Sequence, residues 1–136
     1  MWPFRRNKPA PDAGALGEAH AARLLKRQGL KILARNYRCP AGEADLIALD
    51  KSTRRTAGAQ TICFVEVKTR SSDAFTDPAS AVDADKQRRL VRIARYYLAH
   101  HPAEGFNVRF DVVTVLVNDG RVVETHCIPE AFSPAT

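Results

Sequence analysis

Hydrophobic and polar positions recur along the chain with two periods, one typical of helices and one typical of strands. Helical spacing covers residues 14–28, which Gly29 ends, and a second stretch that starts at an Asp83 cap and runs to about His100. The apolar runs typical of strands are 30–38, 42–50, 62–69, 108–117 and a short edge strand at 121–125. The polar segment 51–60 predicts a hairpin connection with a long mobile loop. Residues 71–81 predict a second loop, which is a candidate substrate contact.

Two of the predicted strands carry charged side chains at positions that should be apolar. Because strand side chains alternate between faces, Glu66 and Lys68 share one face of their strand. The same alternation puts Glu43 and Asp45 on one face of the preceding strand. An ordinary cross-strand ion pair would account for Glu66 and Lys68 alone. Antiparallel pairing of the two strands, however, also brings Asp45 beside them.

Asp45 and Glu66 form a candidate site for a divalent cation. Mg²⁺ prefers oxygen ligands, keeps several waters and lets substrate phosphate complete its coordination. Two carboxylates, with the main-chain carbonyl of Val67 as a third ligand, suit Mg²⁺ or Mn²⁺. Lys68 would orient an attacking water or stabilise the charge that develops on a phosphate. The same residues also allow a site that binds metal without turnover.

Each predicted helix places one charged residue on its apolar stripe. Glu18 lies among alanines and leucine, where an unpaired carboxylate is costly, so it is expected to accept hydrogen bonds or approach a cation. The alternative is an exposed first-turn Glu that interacts with the helix dipole. Lys86 leads the stripe formed by Leu90, Ile93 and Tyr97. Its ammonium group either reaches a phosphate at the site or extends to water along the stem of the side chain.

A series of motifs in this order resembles the YraN-like endonuclease-related family of bacterial proteins. The motifs lie within residues 14–117 and are Gly17-Glu18, Arg35-Asn36-Tyr37, 42–48, 64–70, Lys86 and Arg109-Phe110-Asp111. The combination of Asp45, Glu66 and Lys68 resembles the PD-(D/E)XK nuclease motif of the restriction-endonuclease-like superfamily. Ala44 stands where the superfamily motif has proline, which removes no ligand. The family is in turn similar to archaeal Holliday-junction resolvases.

This resemblance implies an α/β protein with a restriction-endonuclease-like core, a mixed central β-sheet flanked by helices in the order αβββαβ. It also implies a metal-dependent endonuclease that hydrolyses phosphodiester bonds in structured or branched DNA. In such nucleases a first-helix Glu supports the metal site through water, the role expected for Glu18. Substrate contacts are expected from Lys86, Glu43, Arg70 and Gln87.

Composition agrees with one small domain at 14–128, between a basic proline-rich tail at 1–13 and a C-terminal tail at 129–136. Lys+Arg 21 against Asp+Glu 15 gives a net charge of +6, which favours a polyanionic partner, although many small proteins are basic without one. The three cysteines have neither disulfide-scaffold nor zinc-site spacing. No segment has the character of a signal peptide or a membrane span. We therefore expect a cytoplasmic protein with no membrane partner.

Three questions stay open at the level of sequence. Arg88, Arg92 and Arg95, with Arg89 nearby, form a helix ridge that either contacts a phosphate backbone or is a solvated outer face pointing away from the metal. The whole protein is either an enzyme, a catalytically silent nucleic-acid-binding adaptor or a structural interaction module. A homodimer would suit cleavage of both strands of a symmetric junction.

Arg109 and Asp111, in the last long strand, predict an internal ion pair between sheet and helix.

Overall fold

The computed structural model describes residues 13–71 and 83–134 as a mixed α/β protein. The predicted 71–81 loop therefore lies outside the described residues except for Ser71, and the 1–13 tail except for Ala13. The elements in chain order are α1 (Ala13–Arg27), β1 (Lys31–Cys39), β2 (Gly42–Asp50), α2 (Thr53–Ala57), β3 (Thr61–Ser71), α3 (Ala84–His100), β4 (Asn107–Asn118) and β5 (Arg121–Phe132).

The five strands form one sheet in the order β1-β2-β3-β4-β5. Neighbouring strands are antiparallel except β3 and β4, which are parallel. A parallel pair needs a long crossover connection, and α3 lies within it. The expected mixed sheet flanked by helices is confirmed, and its elements follow the predicted αβββαβ order with α2 and β5 added. No helix among the described residues is long and apolar enough to cross a membrane.

The sheet has a separate hydrophobic core on each face. On one face, α1 packs Ala21, Ala22 and Leu25 against the odd-numbered side chains of β3, including Cys63 and Val65. On the other face, α3 contributes Leu90, Ile93, Ala94 and Tyr97, which pack against Ile62, Phe64 and Phe110. The alternation predicted for β3 is therefore confirmed, and it directs Glu66 towards the α3 face. Both helices bury the apolar stripes that their spacing predicts.

Two segments differ from the sequence-based prediction. The connection between β2 and β3, expected to be a long loop, contains the five-residue helix α2, which ends at Gly58 in a left-handed conformation. The predicted edge strand at 121–125 is longer, since β5 continues to Phe132, past the expected domain boundary at 128. Phe132 stacks on Phe110 with the ring centroids 4.9 Å apart. This aromatic contact lengthens β5 because it adds apolar area beyond the predicted end.

A buried ion-pair network joins three strands at the end of the sheet where β2 finishes. The guanidinium of Arg109 donates to both carboxylate oxygens of Asp111, at 2.9 and 3.0 Å, and to Asp50 Oδ2 at 3.0 Å. Asp111 is fully buried and also accepts the Glu130 N–H at 3.0 Å. The predicted internal ion pair is confirmed, but it connects β4 with β2 and β5 rather than sheet with helix.

We expect Asp111→Asn to reduce the free energy of unfolding by about 3 kcal/mol, because it removes the charge that compensates a buried guanidinium. Urea denaturation of both proteins at pH 7 measures the difference. The matched control is Asp85→Asn, which removes an exposed Asp that also pairs with an arginine, Arg88, and should cost less than about 1 kcal/mol. Equal losses in the two variants would contradict a structural role for the Arg109 network.

Candidate functional site

The candidate site lies where β2 and β3 separate. Their ladder of paired residues runs from Asp50 and Thr61 to Leu46 and Val65, and at the next position the Asp45 carboxylate takes over as acceptor. Asp45 Oδ2 accepts the Val67 N–H at 2.8 Å. The Val67 N–H has no main-chain partner on β2 at this position, and the Asp45 side chain accepts its hydrogen bond instead. The carboxylate of Asp45 is consequently fixed beside Val67, at the point where the two strands separate.

A cavity of about 410 Å³ at this separation receives side chains from both helical layers. Glu18 enters from α1 and Lys86 from α3, and they meet the carboxylates of Glu43, Asp45 and Glu66. Arg89, Leu90 and Ile93 complete the lining. Five of the residues predicted from the sequence therefore converge on one cavity, although they come from four elements spread over residues 18–86.

Asp45 and Glu66 behave as one titrating pair. Burial raises the pKa of Glu66 to about 7, and the nearby Asp45 carboxylate is the second cause. Burial also raises the pKa of Asp45, although the hydrogen bond from Val67 opposes it. Two carboxylates this close resist simultaneous ionisation, so the pair retains a proton close to neutral pH. Lys86 and Lys68 both favour the ionised form of Glu66.

Lys68 lies beside the carboxylate pair and close to a second lysine. The pKa of Lys68 is lowered, first because the Lys86 amine is within hydrogen-bonding reach and then because of burial, while Glu66 opposes the change. Lys68 and Arg70 line an adjoining cavity of about 480 Å³, which shares Glu18 with the first. The Nε atom of Arg70 is buried and has no hydrogen-bond partner among the described residues. The adjoining cavity therefore carries two positively charged side chains, Lys68 and Arg70.

Asn36 is a site residue whose role the sequence did not predict. In the amide orientation that satisfies both neighbours, its nitrogen donates to Glu18 Oε2 at 3.1 Å and to Glu43 Oε1 at 3.2 Å. Asn36 has a left-handed backbone, with φ of 50°, in the middle of β1. Asparagine tolerates this conformation better than most residues and is otherwise depleted in strands. An Asn within a strand was therefore the available signal.

Gly17 allows α1 to approach β3 closely enough for Glu18 to reach the site. A Cβ atom at position 17 would lie 3.2 Å from Thr69 Cβ and would overlap Thr69 Oγ1. Gly17 is buried within α1, where glycine costs roughly 1 kcal/mol relative to alanine. The missing side chain is needed for this contact, since it lets the helix backbone pack directly on Thr69.

Neither Gln87 nor Arg89 lies on the side of α3 where we expected it. Gln87, predicted to contact substrate at the site, lines a groove on the far side of the helix with Arg88, Arg92 and Arg95. Arg89, expected on the outer ridge, lines the site cavity, and its side-chain carbon atoms cover Gly42. The spacing of residues on the helix was correct. The placement follows from that spacing, because Arg89 lies about 60° from Lys86 around the helix and Gln87 lies about 100° from it.

The donor set suits a hard cation that keeps part of its water shell. Among the residues that the structure describes, no three His, Cys, Asp or Glu side chains form a ready-made ligand cluster. Mg²⁺ usually needs only one or two protein carboxylates, and Asp45 with Glu66 supplies two. A cation in place of their shared proton would also relieve the repulsion between them. Whether the Val67 carbonyl is a ligand stays a prediction, because the Val67 contact seen is made by its N–H.

Fold and site together define a mixed α/β protein with a carboxylate and lysine cavity at a strand separation. The chain belongs to the family described as "Uncharacterised protein family UPF0102", whose model matches residues 17–115. This confirms the predicted YraN-like membership. A UPF0102 protein of Moorella thermoacetica is 46% identical over 120 residues, covering 88% of this chain and 93% of that protein. A UPF0102 protein of Beutenbergia cavernae is 50% identical over 108 residues, covering 79% of this chain and 85% of that protein.

The raised pKa of Glu66 predicts that the metal-free protein loses stability as pH increases. The folded state holds the Glu66 proton up to about pH 7, whereas the unfolded chain releases it near 4.5. The contribution of this proton to the free energy of unfolding is fully present below pH 4.5 and is lost as the pH rises from 4.5 to about 7. Glu66→Gln removes the ionisation, so we expect it to be about 1–2 kcal/mol more stable than wild type at pH 8.

Urea denaturation in EDTA at pH 4.5 and pH 8 measures this change, and the advantage of Glu66→Gln should be close to zero at the lower pH. Glu104→Gln, at an exposed position, is the control and should follow wild type at both pH values. A constant difference between Glu66→Gln and wild type at the two pH values would show that the proton is not involved.

Proposed function

We propose that this protein is a Mg²⁺- or Mn²⁺-dependent endonuclease of the restriction-endonuclease-like superfamily that hydrolyses phosphodiester bonds in structured or branched DNA. The observation that carries the proposal is the convergence of Asp45, Glu66, Lys68 and Lys86 at one strand separation. This arrangement combines ligands for a hard cation with cations for a phosphate. The proposal also rests on the resemblance of these residues to the PD-(D/E)XK motif and on the net charge of +6.

Asp45 and Glu66 are the residues that would hold the cation. The hydrogen bond from Val67 fixes one oxygen of Asp45, and the cation would replace the proton that Asp45 shares with Glu66. When bound, the cation supplies Lewis acidity and lowers the pKa of a coordinated water. Glu18 and Glu43, held by Asn36, line the same cavity and orient outer-shell water.

The lysines and Arg70 would act on the phosphodiester. Lys68 orients the attacking water and stabilises negative charge that develops on the phosphate. Its lowered pKa eases exchange of a proton with that water. Lys86 reaches the same region from α3 and binds a phosphate oxygen. Arg70 lines the neighbouring cavity, where its guanidinium would contact the strand beyond the scissile bond.

A second candidate function is a nucleic-acid-binding adaptor with the same fold and no turnover. The observation that favours it is the proton shared by Asp45 and Glu66 together with the lack of a ready-made three-ligand cluster among the described residues. In this alternative the lysines and arginines bind phosphate, and the carboxylates serve the architecture of the strand separation.

The decisive experiment compares cleavage and binding of branched DNA by wild type, Asp45→Asn and Lys68→Ala, with Mg²⁺ and with Mn²⁺. We expect wild type to cleave and each variant to be slower by at least about 10²-fold, because each lacks a ligand or a charge that acts on the transition state. Binding of the same DNA in EDTA should persist in both variants. The matched controls are Asp119→Asn and Lys51→Ala, exposed positions that should cleave like wild type.

Binding in all proteins without metal-dependent cleavage would favour the adaptor and contradict the nuclease. Cleavage that is equal in wild type, Asp45→Asn and Lys68→Ala would contradict the assignment of the site. If no nucleic acid binds at low salt, both functions are wrong. Calorimetric titration with Mn²⁺ adds a readout independent of cleavage, since Glu66→Gln should bind the cation at least about 10-fold more weakly.

A further inference from the structure

Four arginines form an arc around the exposed part of α3. At about 100° per residue, the order around the helix is Arg89, Arg92, Arg88 and Arg95, and the arc spans about 120°. Arg89 lies at one end of this arginine arc and lines the candidate site. The other three line a groove of about 530 Å³ between α3 and residues 132–134. The arc therefore leads without interruption from the site cavity to the groove.

Two of the four arginines make no ion pair within the described part of the chain. Arg88 contacts Asp85, and both side chains are exposed. Arg92 and Arg95 are exposed and make no ion pair among the residues described. The contrast with Arg109 is informative, because that arginine is enclosed by two carboxylates and is unavailable to a ligand. Uncompensated guanidinium groups on one helix face attract polyanions.

We propose that the arginine arc binds the sugar-phosphate backbone of the nucleic acid whose phosphodiester lies in the site cavity. This inference rests on the proposed function and names a second surface through which the same ligand is held. The backbone leaves the cavity beside Arg89 and crosses the outer face of α3 towards Arg95. Arg88 and Arg95 are seven residues apart, about 10 Å along the helix, which corresponds to roughly three base pairs of duplex rise.

Chemistry favours a phosphate backbone over an acidic protein surface as the occupant. Guanidinium groups offer planar pairs of N–H donors that match phosphate oxygens. The groove adds the polar side chain of Gln87 to the arginines, and of its apolar residues Val91 and Phe132, Phe132 is already stacked on Phe110. The arc also starts at a cavity suited to a phosphodiester. Contacts of this kind fix the position of a duplex without reading its sequence.

The test measures the salt dependence of DNA binding by Arg92→Gln/Arg95→Gln and by a control with the same change of charge. Arg54→Gln/Arg55→Gln is the control, because both arginines are exposed on α2, outside both the site and the groove. Fluorescence anisotropy with labelled duplex and four-way-junction DNA is recorded in EDTA between about 50 and 200 mM salt. Thermal melting verifies that each protein is folded.

Each lost phosphate contact reduces the slope of log K against log salt by about 0.9 on duplex DNA. We therefore expect the slope for Arg92→Gln/Arg95→Gln to fall by nearly 2, with a loss of affinity of at least about 10-fold at the lowest salt. The control should keep the wild-type slope. Equal reductions in both variants would mean that net charge alone is responsible, and this would overturn the proposal. Weaker binding of polyglutamate with unchanged binding of DNA would also overturn it, in favour of an acidic protein partner.

Failure of the nuclease proposal and failure of this inference give different results. Absence of metal-dependent cleavage, together with a slope that depends on Arg92 and Arg95, contradicts the nuclease and supports the arginine arc. Cleavage by wild type with a slope that does not depend on these arginines contradicts the arc alone.

Discussion

The hydrogen bond from the Val67 N–H to the Asp45 carboxylate is the interaction on which the candidate site depends. A sheet cannot open between two inner strands unless the main-chain donors at the opening find other acceptors. Asp45 provides one of these acceptors and is fixed by doing so. Because the strands separate there, Glu18 from one helical layer and Lys86 from the other reach a common cavity. The geometry of the charged groups thus follows from one position in the sheet, where the Asp45 side chain takes the place of a main-chain acceptor.

The two ends of β2 bury carboxylates in different ways. At one end, Arg109 donates hydrogen bonds to Asp50 and Asp111. Burial alone would raise the pKa of Asp50, but hydrogen bonds from Ser52 and Arg109 hold that pKa below its ordinary value. At the other end, Asp45 and Glu66 lie together without an enclosing guanidinium, and the pKa of Glu66 is raised instead. The first arrangement gives both carboxylates the same guanidinium as a hydrogen-bond donor within the protein, which is typical of a structural network. The second leaves charge to be satisfied by a proton or a ligand, which is typical of a functional site.

Much of this arrangement could be predicted from the sequence because it depends on local periodicity. Strand alternation placed Glu66 on the face that α3 covers, and helical spacing placed Glu18 and Lys86 on buried stripes. The helix α2 was not predicted because its five residues are too few for a periodic pattern. The expectation for Gln87 came from the resemblance alone, whereas helical spacing puts Gln87 about 100° from Lys86 and Arg89 only about 60° from it.

The environment of Asn36 explains why its role needed the structure. Its position in β1 was evident, but the bond to both Glu18 and Glu43 requires a left-handed residue that redirects the side chain. The register of β1 with β2 is the same on both sides of Asn36, with Arg35 opposite Leu46 and Tyr37 opposite Ala44. Asn36 therefore lies opposite Asp45, next to the last paired position of β2 and β3. Glu18, Glu43, Asp45 and Glu66 share a cavity whose charge Lys86 and Arg89 only partly balance, and this imbalance is the physical argument for the divalent cation that we propose.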